Sequence, residues 1–236
     1  MTEKAIQPQF YTRIDLPKLL LLVGLPLFIY FYMSDKPKKI AVFDFDGTLF
    51  QGDATKDFCW FYYRKNPLKS FYFLVQVAYW FINHLGLMST TQFKSKFIAF
   101  LNNNDAQQIN HLLSLFWEQK RVFVREHLLK EIIELKKNGV YTVVVSASPE
   151  LFIKDFCLSL GIDAVIGSQL IVKNNKYSLL KNCRGKEKLI RLKQAIPGFE
   201  LVAAYSDNED DAALLKLAEN GYWVDKKGLI SPFLRE

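Results

Sequence analysis

Two carboxylates, Asp44 and Asp46, follow the apolar run 41–43, with Gly47 and Thr48 directly behind them. The apolar run is typical of a buried strand, and the glycine allows a sharp turn out of it. Two acids side by side in a cleft repel each other and lose solvation, which is costly unless a cation lies between them. The pair therefore predicts a hard divalent cation combined with acid chemistry.

The same pair supplies two of the groups that cleavage of a phosphate monoester requires. Such a reaction needs an in-line nucleophile, neutralisation of the equatorial phosphate oxygens and a proton for the leaving oxygen. Asp44 is the candidate nucleophile, which would form an aspartyl-phosphate. Asp46 is the candidate general acid on the leaving oxygen, and then the general base on water.

Ser146 lies at the end of a second β-branched run, 141–148, and residues 148–150 open the helix that follows. A hydroxyl group and free backbone N–H groups at a helix start can hold a phosphate. By itself such a serine is more often an ordinary helix cap. The acidic motif upstream reverses that preference, and we predict a phosphate-binding role for Ser146.

A basic turn at 183–188 precedes another helical pattern and carries two lysines, Lys186 and Lys188. Either lysine could neutralise a bound phosphoryl group as a point charge. The periodicity does not choose between them. A solvated basic turn is the alternative interpretation.

An acidic segment follows the apolar run 201–205. Asp207 stands where a carboxylate would complete Mg²⁺ coordination, with Asn208 beside it as a supporting residue. Asp211 lies one helical turn further on the same face. A calcium-binding EF-hand is excluded, because the sixth position counted from Asp207 is Ala212 where the loop requires glycine.

Strand and helix patterns alternate along the part of the chain that carries these groups. The predicted strands are 38–46, 141–148, 164–166, 201–205 and 221–224, with a hairpin of 169–172 and 176–180 across Asn174-Asn175. The predicted helices are 128–137, 149–160, 186–195 and 210–219. This alternation predicts an α/β fold with a doubly wound, Rossmann-like parallel sheet, whose ligands bind at the carboxyl ends of the strands.

The segment 52–130, inserted between the first two strands, has no strand pattern and predicts a helical cap. Residues 58–104 contain no Asp or Glu, and 14 of these 47 residues are aromatic. An acid-free, aromatic and basic segment favours contact with anionic lipid at a membrane surface. A buried helical hairpin is the alternative, because an apolar helix can also belong to a core.

An apolar run at 19–33 predicts an N-terminal apolar helix within the segment 1–37. As a helix it would span about 22 Å, short of the roughly 30 Å of a bilayer core. It would either anchor the chain in the membrane or pack on the protein. Cations flank it on both sides, so the sequence gives no orientation.

Composition sets the remaining bounds. A chain of 236 residues suits one domain with an inserted subdomain. Its 31 basic and 24 acidic residues give a net charge of +7, which favours anionic partners, but no nucleic-acid-binding pattern is present. Three cysteines without CxxC spacing argue for a reducing compartment and against a zinc site.

The ordered signals DxDGT, a strand-end Ser, a Lys and DxxxD resemble the haloacid dehalogenase (HAD) superfamily across about residues 38–230. The segments SASPE, CxGxEK and YSDN are similar to its phosphoserine-phosphatase-like IB branch. The resemblance implies a core of 38–51 and 131–236 with a C1-type cap at 52–130. It also implies Lys188 as the motif lysine, and Mg²⁺ bound by the Asp44 side chain, the Asp46 carbonyl and Asp207.

Within that branch, the residues Leu49-Phe50-Gln51-x-Asp53, the segment 64–68 and the segment 205–208 resemble the bacterial phosphatidylglycerophosphatase C family. The resemblance implies hydrolysis of phosphatidylglycerophosphate to phosphatidylglycerol, with a cytoplasmic catalytic domain at the bacterial inner membrane. A phosphatase of a soluble metabolite such as phosphoserine is the alternative. The acid-free cap disfavours it, because an amino-acid substrate needs a carboxylate for its ammonium group. A catalytically idle membrane adaptor is the third hypothesis.

Overall fold

The computed structural model describes residues 38–234, and a seven-stranded mixed sheet lies at its centre. The strands are β1 (Lys38–Phe43), β2 (Tyr141–Pro149), β3 (Ala164–Lys173), β4 (Lys176–Lys181), β5 (Phe199–Ser206), β6 (Asn220–Val224) and β7 (Ile230–Pro232). Their order is β4-β3-β2-β1-β5-β6-β7. The five central strands are parallel, and the edge strands β4 and β7 are antiparallel to their neighbours. The predicted α/β sheet is confirmed, although it is mixed rather than wholly parallel.

Helices cover both faces of this sheet. They are α1 (Ala54–Lys65), α2 (Tyr72–His84), α3 (Thr90–Ile98), α4 (Ala106–Lys120), α5 (Glu126–Lys137), α6 (Glu150–Ser159), α7 (Lys186–Ala195) and α8 (Ala212–Leu217). Successive side chains of β1 point to opposite faces of the sheet, as in any pleated strand. Ile40 and Val42 pack in a buried cluster with residues of α7 and α8, whereas Ala41 and Phe43 belong to a second cluster with residues of α5 and α6. The sheet is therefore doubly wound.

Strand ends differ from the predicted ones where tertiary pairing decides them. The pattern predicted β1 through residue 46, but the strand ends at Phe43 because the chain turns away there. The run 164–173 is one continuous strand rather than two, because its first half pairs with β2 and its second half with β4. The hairpin turn at Asn174 and Asn175 is as predicted, and both residues have positive φ.

The segment inserted between β1 and β2 is helical. Its helices α1 to α4 form a cap, and capping boxes at Ser89 and Asp105 fix the starts of α3 and α4. Helix α5 runs through residue 130, where the sequence placed the end of the cap, and it buries Leu128 and Ile132 in the core. The α-helices of the cap thus lie between residues 54 and 120, and a 3₁₀ turn at Arg121–Phe123 follows them.

The two connections between cap and core are tied to each other. Phe50 forms an antiparallel bridge with Val124. Beside it, the N–H of Gln51 donates to the carbonyl of Phe123 at 2.9 Å, and that of Arg125 donates to Leu49 at 3.0 Å. The cap therefore leaves and rejoins the core at one place.

Two predictions about the membrane concern different parts of the chain. The expected apolar helix at 19–33, and the whole segment 1–37, lie outside the described residues. Within residues 38–234, no helix combines the length and the apolar character that a membrane crossing demands.

Candidate active site

The polar residues singled out in the sequence meet at one edge of the sheet. Asp44 follows β1, Ser146 and Ser148 lie at the end of β2, and Asp207 follows β5. These strands are neighbours and parallel, so their carboxyl ends share an edge. A hydrogen bond of 2.9 Å from the N–H of Asp44 to the carbonyl of Tyr205 joins the ends of β1 and β5.

Lys188 links two buried carboxylates behind this edge. Its Nζ donates to Asp44 Oδ1 at 2.8 Å and to Asp211 Oδ2 at 2.6 Å, and Ser206 Oγ donates to the same Asp211 oxygen at 2.7 Å. Burial alone would lower the pKa of Lys188, but the two carboxylates outweigh it and raise that pKa above its usual value. Lys186, the other candidate lysine, is exposed at the start of the same helix. The structure thus places Lys188, and not Lys186, against Asp44.

Asp46 is held by three hydrogen-bond donors. Its Oδ2 accepts from Ser148 Oγ at 2.6 Å and from Ser146 Oγ at 3.2 Å, and its Oδ1 accepts from the N–H of Ala54 at 2.6 Å. Burial, followed by the charge of Asp53, raises the pKa of Asp46 to about 7. A carboxyl group that titrates near neutrality can both donate a proton and take one back.

Gly47 and Thr48 position Asp207. Thr48 Oγ1 donates to Asp207 Oδ1 at 3.0 Å and accepts from the Asp207 N–H at 2.9 Å. Gly47 has a φ of +79°, and a β-carbon there would overlap the Asp207 carboxylate. Asn208 lies beside Asp207, and its side chain accepts from the N–H of Asp210 at 3.0 Å. The glycine, the hydroxyl and the carboxylate therefore form one packed unit.

The donor set around Asp44 and Asp207 fits Mg²⁺. Residues 38–234 contain no group of three or more His, Cys, Asp or Glu side chains that could hold a metal ion. Mg²⁺ nevertheless binds through as few as one or two carboxylates, with waters and phosphate oxygens completing its shell. Burial raises the pKa of Asp44 and outweighs the charge and hydrogen bond of Lys188, which lower it, while the like charge of Asp207 adds a smaller increase. The side chains of Asp44 and Asp207, with the Asp46 carbonyl, would hold the ion.

The two serines of β2 differ in their access to the site. Ser146 is fully buried, and its Oγ accepts from the N–H of Ser148 at 3.0 Å. Ser148 lines a cavity between the acidic edge and the cap, and its Oγ lies 3.1 Å from Oγ1 of Thr55, which belongs to α1. The phosphate-binding role of Ser146 stays a prediction. Ser148 was predicted only as part of the helix start, although its hydroxyl is the one that reaches the cavity.

Two basic residues at the site carried no local sequence signal. Arg125 is buried, and it donates to the carbonyl oxygens of Gly47 and Lys226, each at 3.1 Å. Lys94, from α3 of the cap, reaches across to the core. Only the folded chain brings these two cations to the acidic motifs. The acidic motifs themselves follow apolar runs and can therefore be recognised from the sequence.

A cavity of about 790 Å³ joins the acidic edge to the cap. Asp44, Asp46 and Asp207 line one end. The cap contributes an apolar wall, which consists of Phe73, Val77, Trp80, Phe93, Phe97 and Ile98. Phe73 and Trp80 are 38% and 50% exposed, so this wall continues onto the protein surface. The cavity thus has a charged end and an apolar end that opens outward.

A doubly wound sheet with acids at the carboxyl ends of its strands and a helical cap after β1 is the architecture of a Rossmann-like enzyme with an inserted cap. Residues 41–216 match the family described as haloacid dehalogenase-like hydrolase, and the chain belongs to this family. Protein CicA of Caulobacter vibrioides is 32% identical over 206 residues, which cover 81% of this chain and 88% of that protein.

Solved structures of low sequence identity share the fold. A protein of unknown function from Bordetella pertussis Tohama I superposes with a TM-score of 0.67 at 16% identity, covering 77% of this chain and 87% of that one. A HAD family hydrolase from Salmonella enterica serovar Typhi gives 0.57 at 17% identity, with 92% and 71% covered. A substrate-bound phosphoserine phosphatase gives 0.52 at 21% identity, with 78% and 84% covered.

Proposed function

We propose that this protein is a Mg²⁺-dependent phosphatase of a lipid phosphate monoester, which converts phosphatidylglycerophosphate to phosphatidylglycerol in phospholipid biosynthesis. One observation carries the proposal: the cavity has carboxylates at one end and an apolar wall that opens at the protein surface. A phosphorylated headgroup matches the charged end, and an acyl chain matches the apolar wall. The volume of about 790 Å³ is typical of a small-molecule site.

Exposed apolar side chains are concentrated in the cap segment that contributes Phe73 and Trp80 to the cavity wall. Ten of the 20 exposed large apolar side chains in the described residues fall within 60–87. We name these ten the apolar rim: Trp60, Leu68, Phe71, Phe73, Leu74, Val75, Trp80, Phe81, Leu85 and Leu87. Soluble surfaces rarely cluster such groups unless they contact a membrane or a partner. Because residues 58–104 contain five Lys or Arg and no acid, we propose an anionic membrane surface, on the cytoplasmic side of the bacterial inner membrane.

The proposed reaction uses Asp44 and Asp46 in turn. A carboxylate oxygen of Asp44 attacks phosphorus, the bond from phosphorus to the glycerol oxygen breaks, and Asp46 gives that oxygen its proton. Asp46 then takes a proton from water, whose oxygen attacks phosphorus and releases inorganic phosphate from Asp44. Lys188 offsets the phosphoryl charge from its position 2.8 Å from Asp44. Bound Mg²⁺ would supply further neutralisation of the phosphate oxygens.

A phosphoserine phosphatase is the competing proposal. The likeness to solved phosphoserine phosphatases is one of fold, at 21–22% identity. An amino-acid substrate needs a carboxylate for its ammonium group, and the cap offers none between residues 58 and 104. Asp53, which lines the cavity, already pairs with Lys56 at 2.8 Å. These contacts favour the lipid.

Phosphate release by the purified full chain tests the proposal. Detergent-dispersed phosphatidylglycerophosphate, phosphatidic acid and phosphoserine are compared with and without Mg²⁺, and Asp44→Asn serves as the inactive control. Preference for phosphatidylglycerophosphate that Asp44→Asn abolishes supports the chemistry and the substrate together. Preference for phosphoserine would retain the chemistry and overturn the lipid assignment.

A further inference from the structure

Four cationic side chains line the cavity, and three of them have carboxylate partners. The paired ones are Lys56 with Asp53 at 2.8 Å, Arg184 with Asp210 at 2.7 Å, and Lys188 with Asp44 and Asp211 at 2.8 and 2.6 Å. The fourth, Lys94, forms no ion pair with any acid in residues 38–234. A cation in that position is unusual, because a charge removed from water is normally matched by an opposite charge.

Lys94 has only neutral partners. It projects from α3 of the cap, and its Nζ donates to the carbonyl of Ala147 at 3.2 Å and to Asn182 Oδ1 at 2.9 Å. Burial lowers the pKa of Lys94, and the positive charge of Arg184 lowers it further. Neutral acceptors satisfy two of the three ammonium protons. The carboxylates of Asp53 and Asp46 attract the charge of Lys94 without forming an ion pair with it, and their effect on its pKa is smaller than that of burial.

Arg184 is a second cation that lines the cavity near Lys94. Its Nε is engaged by Asp210, and its side chain is 51% exposed where the turn before α7 lines the cavity. Lys94 and Arg184 thus bring like charges from the cap and the core to the same cavity. Such an arrangement is unfavourable in the empty protein and becomes favourable when an anion binds between them.

We propose that Lys94, together with Arg184, binds a second anionic group of the substrate, separate from the phosphate monoester that reacts at Asp44. This inference rests on the proposed function, in which the second group is the internal phosphodiester of phosphatidylglycerophosphate. The chemistry requires a substrate with two phosphate groups joined by a short linker. Substrates with one phosphate would occupy the Asp44 end and leave the Lys94 subsite vacant.

Matched substrates and matched variants test the subsite. Phosphatidylglycerophosphate is compared with phosphatidic acid, and glycerol 1,3-bisphosphate with glycerol 3-phosphate, so that the second pair carries no acyl chain. The variant is Lys94→Gln. The control is Lys96→Gln, since Lys96 is exposed on the same helix and lies over the Tyr79 ring at 5.7 Å.

We expect Lys94→Gln to lower kcat/KM about 10- to 100-fold for both bisphosphate substrates, mainly through KM, because a hydrogen bond to a charged group is lost. Hydrolysis of the one-phosphate substrates should change less than about threefold, and Lys94→Arg should restore much of the difference. Equal losses on all substrates would overturn the proposal, because Lys94 would then only hold the cap to Ala147 and Asn182. If Lys94→Gln kept normal activity and left the ratio of kcat/KM between the bisphosphate and the one-phosphate substrates unchanged, the proposal would be overturned as well.

A binding measurement separates this inference from the proposed function. In an Asp44→Asn background, calorimetry compares the affinity for glycerol 1,3-bisphosphate and glycerol 3-phosphate with and without Lys94→Gln. Selective loss of bisphosphate affinity would support the subsite even if no lipid is hydrolysed. Equal affinity for the two ligands in the presence of Lys94 would overturn the subsite whatever the activity of the protein.

Discussion

Gly47 and Asp207 approach so closely that a β-carbon on Gly47 would lie 2.7 Å from Cγ of Asp207. Gly47 also has a φ of +79°, in the left-handed region that favours glycine. One residue therefore meets two demands, the turn that ends the acidic motif and the space for the carboxylate that would help to bind Mg²⁺. The turn by itself would leave room for a β-carbon, whereas the Asp207 carboxylate occupies that space at Gly47.

Gly47→Ala should abolish most Mg²⁺-dependent activity, because the methyl group displaces Asp207. Gly86→Ala is the matched control, since Gly86 has a φ of +73° but nothing within 4 Å of the added carbon. Gly86→Ala should lose about 1–2 kcal/mol in the free energy of unfolding from the strained φ. Gly47→Ala should lose more, because its methyl group also overlaps the Asp207 carboxylate. Only Gly47→Ala should also need more Mg²⁺ for half-maximal activity. An equal loss of activity in both variants would contradict the contact.

Lys188→Met should reduce kcat at least about 100-fold, because the phosphoryl charge loses its cation. It should also destabilise the fold by about 3–5 kcal/mol, since Asp44 and Asp211 remain buried without it. Lys186→Met, on the exposed side of the same helix, should alter stability by no more than about 0.5 kcal/mol. Steady-state kinetics and thermal unfolding check both. A greater kinetic effect at Lys186 would show that the wrong lysine had been chosen.

Asp46→Asn should impair catalysis according to the leaving group. With a lipid alcohol, the loss of the general acid should reduce kcat about 100- to 10,000-fold. With p-nitrophenyl phosphate, whose leaving group needs no proton, the first step should be reduced much less. Single-turnover rates of the two substrates make the comparison. Equal reductions would mean that Asp46 serves to position Asp44 rather than to transfer protons.

The apolar rim should govern attachment to lipid but not the chemistry. Phe71→Ser with Leu74→Ser removes two side chains that are 69% and 70% exposed, and neither lines the cavity. Each would lose about 1.5–3 kcal/mol of burial if it inserts into a bilayer. Cosedimentation with phosphatidylglycerol vesicles should therefore fall sharply, whereas hydrolysis of p-nitrophenyl phosphate stays unchanged.

The control for that experiment is Ile133→Ser with Leu158→Ser, which replaces exposed apolar side chains on the core. These residues lie on α5 and α6 and are not among the ten side chains of the apolar rim, so vesicle binding should persist. If the two double variants reduced cosedimentation equally, the rim would have no special affinity for the bilayer.

Asp163 should contribute to stability in a pH-dependent way. Burial raises its pKa, but hydrogen bonds from Lys136 at 2.6 Å and from Thr142 at 2.8 and 2.9 Å outweigh burial and lower it. A carboxyl group whose pKa is lower in the folded state stabilises the fold above its unfolded pKa of about 3.9. That contribution is lost as the pH falls through the folded pKa.

Asp163→Asn should therefore lower the free energy of unfolding by about 1 kcal/mol at pH 7 and make it less sensitive to pH below about 4. Asp155→Asn, which alters an exposed carboxylate on α6, is the control. Urea unfolding of the three proteins between pH 2.5 and 7 decides the matter. Parallel curves for Asp163→Asn and the unaltered chain would contradict the assignment.

The sequence predicted best the elements whose signals are local. Helix α7 has the predicted bounds, Lys186–Ala195, because a turn precedes it and its apolar spacing is regular. The acidic motifs fall at strand ends as predicted, since parallel strands must gather their carboxyl ends. The three-residue strand β7 was missed, because its side chains are exposed and give no apolar alternation.

Side chains that act across the sequence could not be predicted. Lys94 lies 53 residues from Ala147 and 88 from Asn182, and Arg125 lies 78 from Gly47. Nothing in a helix pattern distinguishes a lysine that faces a cavity from one that faces solvent. Periodicity likewise did not separate Lys186 from Lys188; the family resemblance implied Lys188, and the structure buries Lys188 while Lys186 is exposed.

The bridge between Phe50 and Val124 makes the base of the cap a short two-stranded ribbon rather than two independent loops. Phe50 also pairs with Asp46, which lies four residues earlier in the chain. The foot of the cap and the acidic motif are therefore joined through one residue. A substitution that shifts Phe50 should for this reason affect the seating of the cap and the position of Asp46 together.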